Sequence, residues 1–281
     1  MIEEVIQLIP VRRIVVLALA AGALAAQGDS GDASSAALEW RATANGTAFA
    51  IIPSASIPAP TLLVCALDAE STLKNDPYAH TGAILHPQGW NIIALDLPCH
   101  GADQREGEPA QLDGWRYRVE RGENILTDWR TRVNEVLAYL VDQGIARPDA
   151  IVAEGTSRGG YMACQAAAGI PSIRAVAAYS PVTDLRALRE FDGMDDDALT
   201  EQLSLIHSAE ALADRPVWIT IGSQDTRVGT DHAIAFARRM TAVADERELP
   251  GRVTLNVLPT KGHSSTNEWH ELASAWILSL E

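Results

Sequence analysis

The sequence predicts an α/β fold in which helices cover both faces of a mostly parallel eight-stranded sheet. Strand-like and helix-like segments alternate from residue 38 to the end of the chain. Six of the strand-like segments are near-continuous apolar runs, which is typical of strands buried on both faces. A chain of 281 residues, 47% of them hydrophobic, can bury one large core. We therefore expect one domain over residues 38–281.

Eight segments are predicted to be strands. The first two flank Asn45-Gly46, a dipeptide suited to a tight turn, and should form an antiparallel hairpin at one edge of the sheet. The other six are the apolar runs, which should form the parallel part. In chain order, the predicted strands cover residues 38–42, 47–52, 61–66, 91–96, 150–154, 175–179, 217–221 and 253–258.

Helices are predicted where apolar residues recur every three or four positions. The clearest pattern runs from Ile125 to Leu140. An acidic insertion after the sixth strand, residues 185–214, carries only short helical patterns. It is either a small cap over the site or a solvated surface segment. The remaining predicted helices cover residues 78–85, 160–168, 232–244 and 267–280.

The N-terminus resembles a secretory signal peptide over residues 1–26, followed by a linker over residues 27–37. Arg12 and Arg13 precede an apolar run that ends in small residues at Ala26. The run is shorter than the roughly 20 residues that a membrane span needs. Cleavage would place the protein in the periplasm or outside the cell. The alternative is an ordinary N-terminal helix on a cytoplasmic protein.

The charge and cysteine content exclude several classes of function. A net charge of −15 opposes binding to nucleic acid or to an anionic membrane surface. Cys65, Cys99 and Cys164 are too few for a disulfide framework and lack the spacing of a zinc site. We expect no cofactor, no metal and no nucleic-acid partner, and a small-molecule substrate.

A candidate nucleophile follows the fifth strand. Gly155-Thr156-Ser157-Arg158-Gly159 fits the pattern G-x-S-x-G between a buried strand and a helix, where the serine sits on a sharp turn. Only small flanking residues let the strand and the helix approach closely enough for that turn. The helix N-terminus would favour a developing oxyanion, with the Arg158 N–H as one donor. Ser157 is therefore the predicted nucleophile.

A serine nucleophile needs an imidazole base and a carboxylate that orients it, in the chain order Ser, acid, His for this motif. His263 is the histidine that follows the last predicted strand. Asp225 follows the preceding strand in a tight turn and is the predicted acid, although an aspartate there can also form an Asx-turn or cap a helix. Asp184, after the sixth strand, is the alternative acid.

Five motifs occur in the order found in the α/β-hydrolase superfamily, and the chain resembles its esterase-like relatives in the prolyl oligopeptidase and dienelactone hydrolase groups. This resemblance spans residue 38 to the C-terminus and implies hydrolysis of esters, amides or related acyl bonds without a cofactor. Fewer than forty residues precede the first strand, too few for the β-propeller of large prolyl peptidases, which favours an esterase. The motifs are Asp96-Leu97-Pro98-Cys99-His100-Gly101, the segment from Gly155 to Gly160, the segment from Ser180 to Leu185, residues 222–228, and Gly262-His263.

The resemblance also implies a second oxyanion donor in the loop after the third strand. Many relatives carry His-Gly there, whereas this chain has Ala66-Leu67-Asp68-Ala69, so the donor would be the Leu67 or Asp68 N–H. Arg158 is similar to the arginine of the G-C-S-R element of glucuronoyl esterases, which helps hold the oxyanion. The Arg158 guanidinium has three possible roles: it holds the oxyanion, it binds a substrate carboxylate, or it pairs with Glu154.

Residues 105–121 follow the His100-Gly101 turn and contain Trp115 and Arg116. They either edge the substrate pocket or form an amphipathic packing segment. Together, these features predict a serine hydrolase that cleaves a carboxylic ester through an acyl-enzyme, in class EC 3.1.1 rather than EC 3.4. The alternatives are a single-domain serine peptidase of prolyl oligopeptidase type and a non-catalytic binding module on the same fold.

Overall fold

The computed structural model describes residues 37–280. The predicted signal peptide and all but the last residue of the predicted linker lie outside the described residues. Within residues 37–280, no helix combines the length and the apolarity that a membrane span requires.

The described residues form one eight-stranded sheet with the strand order β1-β2-β4-β3-β5-β6-β7-β8. β2 pairs antiparallel with both β1 and β4, and every other neighbouring pair is parallel. This confirms the predicted mostly parallel sheet and its antiparallel edge. The strands are β1 (Glu39–Ala42), β2 (Ala48–Ile52), β3 (Ala59–Cys65), β4 (Asn91–Ala94), β5 (Ala146–Thr156), β6 (Ile173–Tyr179), β7 (Val217–Gln224) and β8 (Val253–Lys261).

Helices cover both faces of this sheet, as predicted. Strand residues alternate between the two faces, so that Leu63 packs in one core cluster and its neighbour Leu62 in the other. This two-sided burial is the reason that the strands are apolar at nearly every position. Short 3-10 helices aside, the described helices are α1 (Ala69–Lys74), α2 (His80–Leu85), α3 (Gln111–Val119), α4 (Thr127–Asp142), α5 (Arg158–Gly169), α6 (Ala198–Gln202), α7 (Ala209–Leu212), α8 (Thr230–Glu246) and α9 (Asn267–Leu278).

Two helices near the site were not predicted from the sequence. α1 is six residues long, too short for a periodic apolar pattern to show, and Asp68 caps it by accepting from the Ser71 N–H at 2.9 Å. α3 contains Gly114, a residue that weakens a helix prediction. That glycine is needed because a Cβ there would collide with the Pro109 carbonyl and the Cys99 side chain.

The insertion between β6 and β7 contains α6, α7 and three 3-10 helices. It contributes several buried apolar residues to the core cluster that contains α4 and α5. It is therefore anchored to the domain rather than merely lying on its surface, and its role as a cap stays a prediction. The buried residues include Leu185, Leu188, Phe191, Leu203 and Leu205.

The close approach of α5 to β3 depends on a missing side chain. A Cβ at Gly159 would fall inside the van der Waals contact distance of the Cys65 carbonyl oxygen and 2.9 Å from the Ala66 Cα. A Cβ at Gly155 would lie 2.5 Å from the same carbonyl oxygen. These are backbone atoms at the end of a central strand, so moving them aside would disturb the packing of the sheet.

We expect Gly159→Ala to lower the free energy of unfolding by about 3 kcal/mol or more, the upper part of the range for overpacking. Urea denaturation followed by circular dichroism would measure this. Gly251→Ala is the matched control, because nothing lies within 4 Å of a Cβ at that position. Equal stability of the two variants would contradict the packing argument.

Candidate active site

Ser157 lies on the turn between β5 and α5. Its backbone angles, φ 57° and ψ −116°, fall outside the regions that non-glycine residues usually adopt. The Ser157 N–H donates to the Tyr179 carbonyl at 2.8 Å, and the Ser157 carbonyl accepts from the N–H groups of Tyr161 and Val182, both at 3.1 Å. Hydrogen bonds on both sides thus hold the strained turn and present Ser157 at the carboxyl end of β5.

His263 and Asp225 meet at the ends of the neighbouring strands β7 and β8. His263 Nδ1 lies 2.8 Å from Asp225 Oδ2. Asp225 is buried, and its Oδ1 accepts from the N–H groups of Arg227 at 3.0 Å and Val228 at 3.2 Å. Burial alone would raise the pKa of Asp225, but the hydrogen bond and charge of His263, with the two N–H donors, hold it below its usual value. Asp225 therefore stays a carboxylate that accepts the Nδ1 proton of His263.

Asp184 has a different partner. Its Oδ2 lies 2.6 Å from Arg186 Nη2, and its Oδ1 accepts from the Arg186 N–H at 3.0 Å. These contacts cap a 3-10 helix at Leu185–Ala187. The structure thus brings Asp225, and not Asp184, against His263.

Ser157, Arg158 and His263 line one cavity of about 280 Å³ at the carboxyl ends of the strands. Ligands of open α/β sheets bind at this edge. The structure has no hydrogen bond between the Ser157 hydroxyl and the His263 imidazole, a contact that often tightens only when substrate binds. The other lining residues are Ala66, Pro77, Tyr78, Leu112, Thr156, Arg227, Ser264 and Ser265.

Arg227 and Tyr78 are among the lining residues that were not predicted from the sequence. Arg227 follows Asp225 by two positions, so its proximity to the predicted acid was a usable signal. Tyr78 comes from the loop between α1 and α2, and no motif marks it. Only the folded chain brings Tyr78 to the cavity.

The predicted oxyanion donors have unequal surroundings. Arg158 is the first residue of α5, where N–H groups have no partner within the helix. The Leu67 N–H already donates to Thr72 Oγ1 at 3.0 Å, so its use as a donor requires that bond to break. Asp68 caps α1 through its side chain. Neither Leu67 nor Asp68 is among the residues that line the cavity, and both stay predictions.

The Arg158 side chain does not pair with Glu154. Its Nη1 donates to Gln111 Oε1 at 2.8 Å and to His100 Nε2 at 3.0 Å. Glu154 instead accepts from the Tyr179 hydroxyl on the other side of β5. The ion-pair alternative for Arg158 is thereby replaced by two neutral hydrogen-bond partners.

Trp115 and Arg116 do not line the cavity that contains Ser157. Trp115 is fully buried, and its indole N–H donates to the Pro98 carbonyl at 2.7 Å. Arg116 donates to Glu120 Oε1 at 2.7 Å and to the Glu190 carbonyl at 2.9 Å. Of the two roles expected for residues 105–121, Trp115 and Arg116 therefore have the packing role. Arg116 connects α3 to the insertion between β6 and β7.

A hydrogen-bonded series of buried polar side chains lies beneath the cavity. Ser265 Oγ lies 2.8 Å from His270 Nε2, and His270 Nδ1 lies 2.9 Å from Thr81 Oγ1. Thr81 Oγ1 lies 3.1 Å from the Tyr179 hydroxyl, which donates to Glu154 Oε2 at 3.0 Å. Burial lowers the pKa of His270 to about 3 and raises that of Glu154 to about 8. These hydrogen-bonded side chains therefore link the His263 loop to β5, the strand that precedes Ser157, through groups that are uncharged at neutral pH.

A strained serine at a strand-to-helix turn, in a cavity that the histidine after β8 also lines, is typical of serine hydrolases of the α/β-hydrolase type. The sequence model of the prolyl oligopeptidase family matches residues 120–279, which is more than half of the chain. The chain belongs to that family. The matched region contains Ser157, Asp225 and His263. No curated protein sequence matched the chain.

Solved structures with a similar fold include peptidases and esterases. Dipeptidyl peptidase 4 from Porphyromonas gingivalis matches with a TM-score of 0.62 and 15% identity, over 86% of this chain and 35% of that one. Esterase Pf2001 from Pyrococcus furiosus matches with a TM-score of 0.58 and 17% identity, over 87% and 89%. TT1662 from Thermus thermophilus matches with a TM-score of 0.64 and 18% identity, over 87% and 98%. The chain thus spans well under half the length of the dipeptidyl peptidase structures.

We expect Glu154→Gln to change how stability depends on pH. A carboxyl whose pKa rises on folding favours the folded state fully below its unfolded value of 4.5, and this contribution is lost as pH rises through about 8. The unfolding free energy of Glu154→Gln minus that of the parent should therefore increase between about pH 5 and pH 8 and then level off. Each pKa unit corresponds to about 1.4 kcal/mol.

Urea denaturation at a series of pH values would measure this difference. Glu106→Gln, a change of the same type at an exposed loop position, is the control and should show no such increase. A flat difference for Glu154→Gln would mean that burial does not keep the Glu154 carboxyl protonated.

Proposed function

We propose that this protein is a serine esterase that hydrolyses a carboxylic ester through a covalent acyl-enzyme, with Ser157 as nucleophile, His263 as general base and Asp225 as the orienting acid. One observation carries the proposal: His263, whose Nδ1 lies 2.8 Å from the buried Asp225 carboxylate, lines the same cavity as Ser157. That contact supports a proton on Nδ1, because a carboxylate only accepts, and an Nε2 lone pair that is free to accept the serine proton.

In the proposed mechanism, the Ser157 oxygen attacks the ester carbonyl while His263 Nε2 takes its proton. The Asp225 carboxylate stabilises the resulting imidazolium, and the Arg158 N–H donates to the oxyanion. His263 then returns the proton to the departing alcohol. Water, activated by the same imidazole, hydrolyses the acyl-enzyme and regenerates Ser157.

Two of the comparisons bear on whether the substrate is an ester or a peptide. The match to the Pyrococcus furiosus esterase extends over nearly the whole of that protein, which supports an esterase. The match to the prolyl oligopeptidase family supports a second candidate, a serine peptidase with the same three residues. Attack by Ser157 and hydrolysis of the acyl-enzyme are common to both candidates, so the group that leaves as the acyl-enzyme forms, an alcohol or an amine, separates them.

A fluorophosphonate probe should label the parent protein at Ser157, because the probe reacts with serine hydroxyls that an imidazole activates. Peptide mass spectrometry would locate the adduct. Ser157→Ala should remove both the labelling and the hydrolysis of short-chain 4-nitrophenyl esters. A Ser157→Ala variant equal to the parent in both assays would support a non-catalytic binding module instead.

For the parent protein, kcat/KM for 4-nitrophenyl butyrate should exceed kcat/KM for aminoacyl and prolyl 4-nitroanilides. The reverse order, with labelling retained, would favour the peptidase.

Asp225→Asn should lower kcat by roughly 10³- to 10⁴-fold, because an asparagine cannot hold the Nδ1–H tautomer or stabilise the imidazolium. Asp184→Asn is the matched control, since it makes the same change in an aspartate that pairs with Arg186. That control should stay within a few-fold of the parent. Steady-state kinetics would distinguish the two, with circular dichroism to show that both variants fold. A collapse in Asp184→Asn alone would reassign the acid.

A further inference from the structure

The cavity beside Ser157 has an electrostatic character opposite to that of the whole chain. The chain carries a formal net charge of −15. Yet the cavity-lining residues in the described part of the chain include Arg158, Arg227 and His263 and no aspartate or glutamate. Arg227 is neutralised by Glu190, whose Oε2 lies 2.7 Å from Arg227 Nη2. The positive charge that faces the cavity without a carboxylate partner is therefore that of Arg158.

Arg158 is half-buried and is held by neutral acceptors. Its Nη1 lies 3.0 Å from His100 Nε2, and His100 Nδ1 lies 2.8 Å from the Pro98 carbonyl. A carbonyl only accepts, so Nδ1 carries the His100 proton and Nε2 accepts from Arg158. Burial, with the nearby Arg158 charge, lowers the pKa of His100 and keeps its imidazole neutral. Arg158 makes no ion pair within residues 37–280, although a partly desolvated charge is stabilised by one.

Hydrogen bonds hold the backbone segments that carry His100 and Gln111, the two residues that accept from Arg158. Asp96 accepts from the N–H groups of Ala69 and Ala102, each at 2.7 Å, and so ties the His100 turn to the start of α1. Gln111 has a φ of 59°, unusual for a glutamine, and its N–H donates to the Cys99 carbonyl at 2.8 Å. A guanidinium set in place before a ligand arrives loses little entropy on binding a planar anion.

We propose that the Arg158 guanidinium binds a carboxylate of the substrate, so that the preferred substrates are esters that carry a negative charge close to the scissile bond. This inference rests on the proposed hydrolase function and goes beyond it by naming the substrate class. A carboxylate would complete the hydrogen-bonding capacity of the guanidinium with charge-assisted bonds. The negative charge of that carboxylate would also offset the free-energy cost of partly burying the Arg158 charge.

The kinetic test compares two esters that differ in one terminal group. Mono-4-nitrophenyl glutarate ends in a carboxylate, and 4-nitrophenyl valerate ends in a methyl group; rates are corrected for spontaneous hydrolysis. The parent should have a kcat/KM at least about 10-fold higher for the glutarate ester. Arg158→Gln, which keeps the backbone N–H, should reduce that preference by roughly 10- to 100-fold, as expected for loss of a charge-assisted bond.

Arg238→Gln is the matched control, because it removes the same charge from an exposed position on α8 that does not line this cavity. It should leave the ratio of the two kcat/KM values unchanged. An equal loss for both esters in Arg158→Gln would show that the guanidinium acts on the oxyanion, and would overturn the proposal. A parent that prefers the valerate ester would overturn it as well.

A binding measurement separates this inference from the proposed function. Calorimetric titration of free glutarate into Ser157→Ala, which needs no hydrolysis, should show binding that is lost in Ser157→Ala/Arg158→Gln and kept in Ser157→Ala/Arg238→Gln. Such a result without any esterase activity in the parent would support the carboxylate site and count against the esterase. Failure of glutarate to bind to Ser157→Ala would overturn the carboxylate site even if the parent hydrolyses neutral esters.

Discussion

The close contact between α5 and the end of β3 is the constraint on which the rest of the site depends. It exists because Gly155 and Gly159 have no side chains to separate the backbones. That contact forces the turn at Ser157 into a strained conformation, which hydrogen bonds to Tyr179 and Val182 hold in place.

The surroundings of each titratable group at the site decide whether that group is ionised. Asp225 is buried but accepts several hydrogen bonds and stays ionised, whereas burial of Glu154 outweighs its hydrogen bonds, and Glu154 holds its proton. The first arrangement suits a group that must stabilise a positive imidazole. The second makes a neutral link between the strand of Ser157 and the loop of His263. Arg158 is the exception, a desolvated charge left open to the cavity.

Much of the fold was predictable because its signals are local. Two-sided burial makes the central strands apolar, and the Asn45-Gly46 turn marks the antiparallel hairpin. The short α1 and the glycine-containing α3 were missed, since their stability comes from a cap and from packing rather than from a periodic pattern. In the site, Ser157, Asp225 and His263 each follow a predicted strand, so parallel topology alone indicated a common edge.

The sequence by itself determined the fold class, the strained turn and the three residues at the carboxyl ends of the strands, because each depends on residues adjacent in the chain. The partners of the charged side chains were decided only by the tertiary structure. Arg227 pairs with Glu190, Arg158 donates to His100 and Gln111, and Tyr78 reaches the cavity from a distant loop. Hydrogen bonds between side chains act over a few ångströms, so their partners depend on how separate segments pack, which local sequence patterns do not encode.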